Sequence, residues 1–129
     1  MDKFKLSYVE NALAKINWTS PFKDYAKVVV SSKIDLDFIT AKPLYRVDIK
    51  LAKRYNSDFD ETVVLEFRPN GSRLEFWTKL YKNDELISKY INYLDNDKVR
   101  DAETLASLVN ERLATLPELL ITLVHLLKS

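Results

Sequence analysis

The residues of this chain best suited to chemistry are large rings set among cations. Trp77, Tyr81 and Tyr90 recur through a stretch that also carries Arg68, Arg73 and Lys79, with Arg46 and Lys50 a little upstream. Rings of this kind stack on nucleobases at roughly 1–3 kcal/mol per base while cations follow the phosphates. The same mixture anchors protein interfaces. Catalytic groupings are scarce. The only histidine, His125, is spaced with Glu118 and Thr122 along a polar helix stripe, and a chain with no Cys offers it no thiolate partner. Asp58-Phe-Asp-Glu61 reads as a solvated turn, and Asp95-Asn-Asp97 lacks the mid-loop Gly and ligand spacing of a calcium loop, so it reads as helix capping. Gly71, the single glycine, sits in a hairpin, which excludes a glycine-rich phosphate loop. A carboxylate pair on neighbouring strands, for example Asp35 with Asp48, is conceivable as acid and base, but nothing in the sequence marks it out from surface charge. The expectation is a non-catalytic protein with no metal and no cofactor.

Composition bounds the rest. With 129 residues, 47% hydrophobic and 30% charged, the chain is expected to form one domain, residues 1–129, burying about two-thirds of its unfolded surface. A formal net charge of +1 gives no electrostatic case for a nucleic-acid or membrane partner. The absence of Cys suits an intracellular, cytoplasmic protein, and Met1-Asp-Lys-Phe-Lys-Leu6 reads as neither a signal peptide nor a membrane segment.

The elements that must position the rings follow from periodicity. Ser7 and Glu10 have capping-box spacing, and Val9, Ala12, Leu13 and Ile16 recur at helical intervals, predicting a helix over 7–17. Residues 27–94 then read as a five-stranded antiparallel meander. Val28, Val30, Ile34, Leu36 and Phe38 alternate with polar residues in the first strand, with a bulge or break expected at Ser31-Ser32. Tyr45, Val47, Ile49 and Leu51 alternate in the second, with Phe38 expected opposite Tyr45. Asn56 to Asp60 reads as a loop. Two hairpins follow, turning at Asn70-Gly71 and Asn83-Asp84, with Phe67 opposite Leu74, Phe76 opposite Ile91 and Leu80 opposite Ile87. Over 98–128, Ala102, Leu105, Val109, Leu113 and Leu116 recur at helical spacing until Pro117. Because a mid-helix Pro costs about 3 kcal/mol, and Thr115 with Glu118 has capping-box spacing, two C-terminal helices are predicted. The fold class expected is α+β, with the helices packed on one sheet face.

That arrangement leaves two unlike faces. One collects the aliphatic alternation, including Ile87, Ile91 and Tyr93, and is covered by helices. The other carries charges interrupted by a row in which Val64, Trp77 and Tyr90 lie side by side, with Tyr81 and Leu86 one step along. Large rings are costly to leave in water. The cover is one of three: the chain's own first helix, Trp18–Tyr25 segment or last helix; single-stranded nucleic acid; or another protein.

On Thr62 to Tyr93 and Leu105 to Leu127, about half of the chain, the arrangement resembles the Whirly-type and archaeal ThermoDBP-type single-stranded DNA-binding proteins, although no short motif matches. The resemblance implies single-stranded nucleic-acid binding and a helix available for dimerisation. The face argument alone selects Trp77, Tyr90, Tyr81, Arg46, Lys50, Arg68, Arg73 and Lys79 as the contact residues. The near-apolar helix ending in Lys128 places Leu119, Leu120, Leu123, Leu126 and Leu127 as a homodimer interface. The alternative function is a protein-interaction module, a small viral or host accessory factor, using the same row.

Overall fold

A computed structural model describes residues 5–53, 58–99 and 101–128. The predicted loop at Asn56 and Ser57 and the first four residues of the chain lie outside them. The elements run α1 (Leu6–Leu13), a 3-10 turn (Ser20–Phe22), β1 (Lys27–Leu36), β2 (Pro43–Ala52), β3 (Glu61–Asn70), β4 (Arg73–Lys82), β5 (Glu85–Asp95), the one-turn helix α2 (Asn96–Val99) and α3 (Ala102–Lys128). The strands form one antiparallel sheet in the order β1-β2-β3-β4-β5. The α+β meander is therefore as expected. Among the described residues no helix is long and apolar enough to cross a membrane.

Helices cover one face, called the back here. Val9 and Ala12 of α1, Phe22 of the 3-10 turn, and Leu105, Val109, Leu113, Leu116 and Leu120 of α3 close over Val47, Ile49, Val63, Leu65, Phe67, Leu74, Phe76 and Leu80. Each side chain so buried contributes about 1.5–3 kcal/mol, which makes this layer the main source of stability. Phe67 and Phe76 stack at its centre, with ring centroids 4.9 Å apart.

The helices depart from the sequence reading in two ways. α1 starts at Leu6 with no side-chain cap, so the Ser7–Glu10 box is not used, and it ends at Leu13 rather than residue 17. A single helix α3 replaces the predicted pair and runs 27 residues through Pro117. Leu113 and Leu116 before the proline, and Leu120 and Val124 after it, lie on one buried stripe. Four such side chains at about 1.5–3 kcal/mol each outweigh a proline penalty of about 3 kcal/mol. The Thr115 hydroxyl donates back to the Arg112 carbonyl (2.7 Å) instead of capping a new helix.

The strand registers were predicted with the right parity in two hairpins and the wrong parity in one. Ile34, not Phe38, stands opposite Tyr45, a slip of four residues, and β1 crosses Ser31-Ser32 without a bulge. Phe67 faces Phe76, because the tight turn is Gly71-Ser72 closing on Asn70 and Arg73, with Gly71 at φ 63°. Both slips are even and leave the faces unchanged. Asn83 (φ 50°) and Asp84 (φ 66°) form the expected third turn with the positive φ that a type I′ hairpin requires. Beyond it Tyr81 pairs with Leu86 but Leu80 with Ser88, so β5 carries one extra residue, Ile87. From Ser88 onward every side chain is on the face opposite to the one predicted. The cause is apolar: Ile87 and Leu94 both pack on the core, yet seven residues apart they face opposite ways in a regular strand. The bulge reconciles them.

Candidate binding surface on the front of the sheet

The front face takes Arg46, Asp48 and Lys50 from β2, Val64, Glu66 and Arg68 from β3, and Glu75, Trp77, Lys79 and Tyr81 from β4, because these positions alternate with the buried ones. Seven of the eight predicted contact residues, Trp77, Tyr81, Arg46, Lys50, Arg68, Arg73 and Lys79, thus share a face. Tyr90 does not. It pairs with Thr78 on the back, where the Arg112 guanidinium of α3 lies 4.3 Å above its ring. Ile91 takes its place opposite Trp77, and Tyr93 joins the front beside Arg73. The expected Val64–Trp77–Tyr90 row does not form: Trp77 stands between Glu66 and Ile91, Val64 is buried opposite Lys79, and Tyr81 pairs with Leu86 further along.

What covers Trp77 is its own neighbourhood of cations. The Arg68 guanidinium stands 4.1 Å from the centre of its rings, and the Lys79 and Lys89 ammonium groups 5.3 and 5.2 Å away. Cation–π contacts of this kind contribute about 0.5–2 kcal/mol each. The indole N–H donates to Glu75 Oε1 (3.0 Å), which fixes the ring in plane.

Two of those cations are held from below by Glu66, which is only 3% exposed. Arg68 Nη2 lies 2.9 Å from Glu66 Oε1, and Lys79 Nζ 2.9 Å from Oε2. Burial pushes the Glu66 carboxyl up, but the hydrogen bonds from Arg68 and Lys79, with their charges, more than offset it and hold the group below the ordinary glutamate range. Arg68 also clamps Asp37 through Nη1. Arg46 is paired in turn with Asp48 (2.8 Å), and exposed Arg73 lies 3.7 Å from Asp95. Among the described residues Lys50 and Lys89 have no carboxylate partner.

The Asp37 clamp builds the feature that sequence reasoning missed. Asp37 Oδ1 accepts the backbone N–H of Ile39 (2.9 Å) and Thr40 (3.2 Å), its carbonyl accepts Ala41 N–H (2.7 Å), and its own N–H donates to the Lys42 carbonyl (3.0 Å). The two backbone N–H groups, helped by Arg68, keep the Asp37 carboxyl below its usual value. So tied, the β1–β2 tip presents Phe38 at 99% and Ile39 at 94% exposure. Both border a hollow lined further by Asp35, Leu36, Asp37, Leu44, Arg46, Glu66, Arg68, Trp77 and Lys79. The signal available in the sequence was an Asp two and three residues ahead of the amides it caps, an Asx-turn spacing. No family model, curated protein or solved structure matches the chain.

The acidic clusters are engaged elsewhere. Asp35 pairs across β1–β2 with Leu44 and Asp48 with Ser31, four positions apart, or about 13 Å at strand rise, so they are not brought together as an acid–base pair. Glu61, 1% exposed, accepts the Tyr25 hydroxyl (3.2 Å) and lies 3.3 Å from Lys53 Nζ. Burial, then the Glu61 charge, pushes the Tyr25 phenol far above its usual value. Asp60 pairs with Lys82, and His125 is exposed. Of the predicted dimer residues, Leu120 is wholly buried in the chain's own core and Leu123 packs partly against it, while Leu119, Leu126 and Leu127 are exposed. The stripe is one helix face only in part, because α3 needs Leu120 to hold the sheet.

Proposed function

We propose that the chain is a binding protein that docks a segment of another protein in the hollow between the β1–β2 tip and Trp77. The observation that carries this reading is the pair Phe38 and Ile39, held almost fully in solvent by the Asp37 turn at the rim of that hollow. A turn this well tied presents its apolar pair at a small entropic cost on docking, and a polar rim of mixed sign around apolar anchors is the usual anatomy of a protein interface. The carboxylates that hold Arg46, Arg68 and Lys79 weigh against phosphate as the occupant.

Single-stranded nucleic acid is the second reading. The support for it is that Lys50 and Lys89 carry no carboxylate partner among the described residues while Lys89 already borders the Trp77 ring. A base would then exchange with Arg68 above the indole.

A photo-reactive phenylalanine analogue at position 38 of the full chain, irradiated in an extract of the source cells, tests the first reading. A discrete protein adduct that survives nuclease and is lost on Trp77→Ala and Ile39→Asp is the expected result. No adduct, or one indifferent to Trp77→Ala, refutes it. Salt-sensitive quenching of tryptophan fluorescence by an unlabelled oligonucleotide, absent in Trp77→Ala, establishes the second reading in its place.

A further inference from the structure

Both outer strands of the sheet offer a free backbone edge, but they differ in how that edge is protected. β5 is interrupted by the Ile87 bulge, one of the devices that keeps an edge from pairing. β1 carries Lys27, Lys33 and Asp35 but no bulge. It runs ten residues in unbroken register with β2, contains no Pro, and exposes Val29 (49%), Ile34 (56%) and Leu36 (56%). Among the described residues no backbone hydrogen bond from another element reaches its outer side.

The side chains along this edge are complementary to themselves. We propose that β1 pairs antiparallel with β1 of a second copy about a two-fold axis through Ser31, joining the two sheets into one with both helix layers on the same side. Keeping the helix layers together requires back-facing residues to meet back-facing residues, so the axis passes through a residue and not between two. Through Ser31 it sets Lys27 against Asp35 on both sides of the axis, where Lys33 already borders Asp35 at 3.7 Å, Val28 against Ile34, Val29 against Lys33 and Val30 against Ser32. Moved to Val30, it sets Lys27 against Lys33. Moved to Ser32, it loses the Lys27–Asp35 pairs and takes Lys27 to Asp37, which Arg68 already holds. Opposite charges directly across an antiparallel pair stabilise it and like charges destabilise it, so the charges select the Ser31 register. Ile34, which no helix of its own chain covers, gains Val28 of the other copy as a neighbour. A hetero-partner would have no need for an edge whose two ends match each other.

The test is a charge swap on the full chain, read by sedimentation velocity over a range of concentrations, with circular dichroism to confirm the fold. Wild type is expected to dimerise. Lys27→Glu and Asp35→Lys, each placing like charges across the axis twice, should each weaken the dimer by about tenfold or more, and the double variant should restore it. A monomeric wild type overturns the proposal. So does a dimer indifferent to Lys27→Glu, a double variant that stays monomeric, or a dimer that Leu126→Glu at the end of α3 dissociates while Lys27→Glu does not.

Discussion

Replacing Glu66 by Gln keeps the shape of the side chain and removes the charge that Arg68 and Lys79 share. A hydrogen bond to a charged group contributes about 1.5–3 kcal/mol, and breaking a fully buried ion pair costs about 3–5 kcal/mol. The lower end applies here. The Arg68 and Lys79 side chains remain 22% and 19% exposed, Arg68 keeps Asp37, and the Gln carbonyl still accepts from one of the two. The expected loss at neutral pH is about 2–3 kcal/mol, which at a urea m-value of roughly 1–3 kcal/mol/M moves the unfolding midpoint down by about 0.7–3 M. The pH dependence has a definite sign. Because the native Glu66 pKa lies below its ordinary value of 4.5, the stability it confers is complete above that value and is lost as pH falls through the native pKa. The gap between wild type and Glu66→Gln should therefore be full at neutral pH and close in acid. Urea unfolding followed by far-ultraviolet circular dichroism avoids relying on Trp77, which the change itself disturbs. An unmoved midpoint at neutral pH, or a gap that persists undiminished in acid, refutes the account. Replacing Glu66 by Leu and Lys79 by Met together, with Arg68 left on Asp37, should recover part of the loss, since what costs stability is a cation left without its partner.

Pro117→Ala should stabilise the protein by about 1–3 kcal/mol, because it returns an N–H to the Leu113 carbonyl in an already continuous helix; a lower urea midpoint would contradict this. In an alkaline absorbance titration, Tyr25 should stay protonated after ordinary tyrosines have ionised. Its raised pKa means that its contribution to stability is complete below the ordinary value of 10.0 and declines as pH rises above it, and Glu61→Gln should bring its titration down toward the others. Leu120→Ala should cost about 2–5 kcal/mol by opening a cavity in the core, while Leu126→Ala, 61% exposed, should change stability by no more than about 0.5 kcal/mol in thermal or urea melts.

The fold was legible where a feature depends on parity. Val47, Ile49 and Leu51 in β2, and Leu74, Phe76 and Leu80 in β4, alternate so cleanly that even the misplaced registers, off by two or four residues, left them on the buried face. It was not legible where a distant contact overrides a local rule. Pro117 is a strong local stop, and only the shared burial of Leu113, Leu116 and Leu120 against the sheet reveals why the helix continues. The Ser7–Glu10 spacing is a good local cap, and no side-chain cap forms at the start of α1.

The site was legible in its composition and misread in its geometry, and both follow from the same bulge. Ile87 shifts Tyr90 behind the sheet and brings Ile91 beside Trp77 and Tyr93 beside Arg73, so the front keeps Trp77 and Tyr81 but loses the ring expected next to the indole. A nucleic-acid surface depends on several rings in sequence and on cations with nothing else to bind. The cations beside Trp77 are instead tied to Glu66 and, through Arg68, to Asp37, and the Asp37 that receives Arg68 is the same residue whose turn lifts Phe38 and Ile39 into solvent. One carboxylate thus couples the shape of the hollow to its charge. Asp37→Ala should release the tip while leaving Arg68 paired with Glu66 alone, so docking of an apolar segment should weaken with little gain in phosphate affinity. We rank the protein reading first because the cations beside Trp77 are already paired with carboxylates while Phe38 and Ile39 stand in solvent.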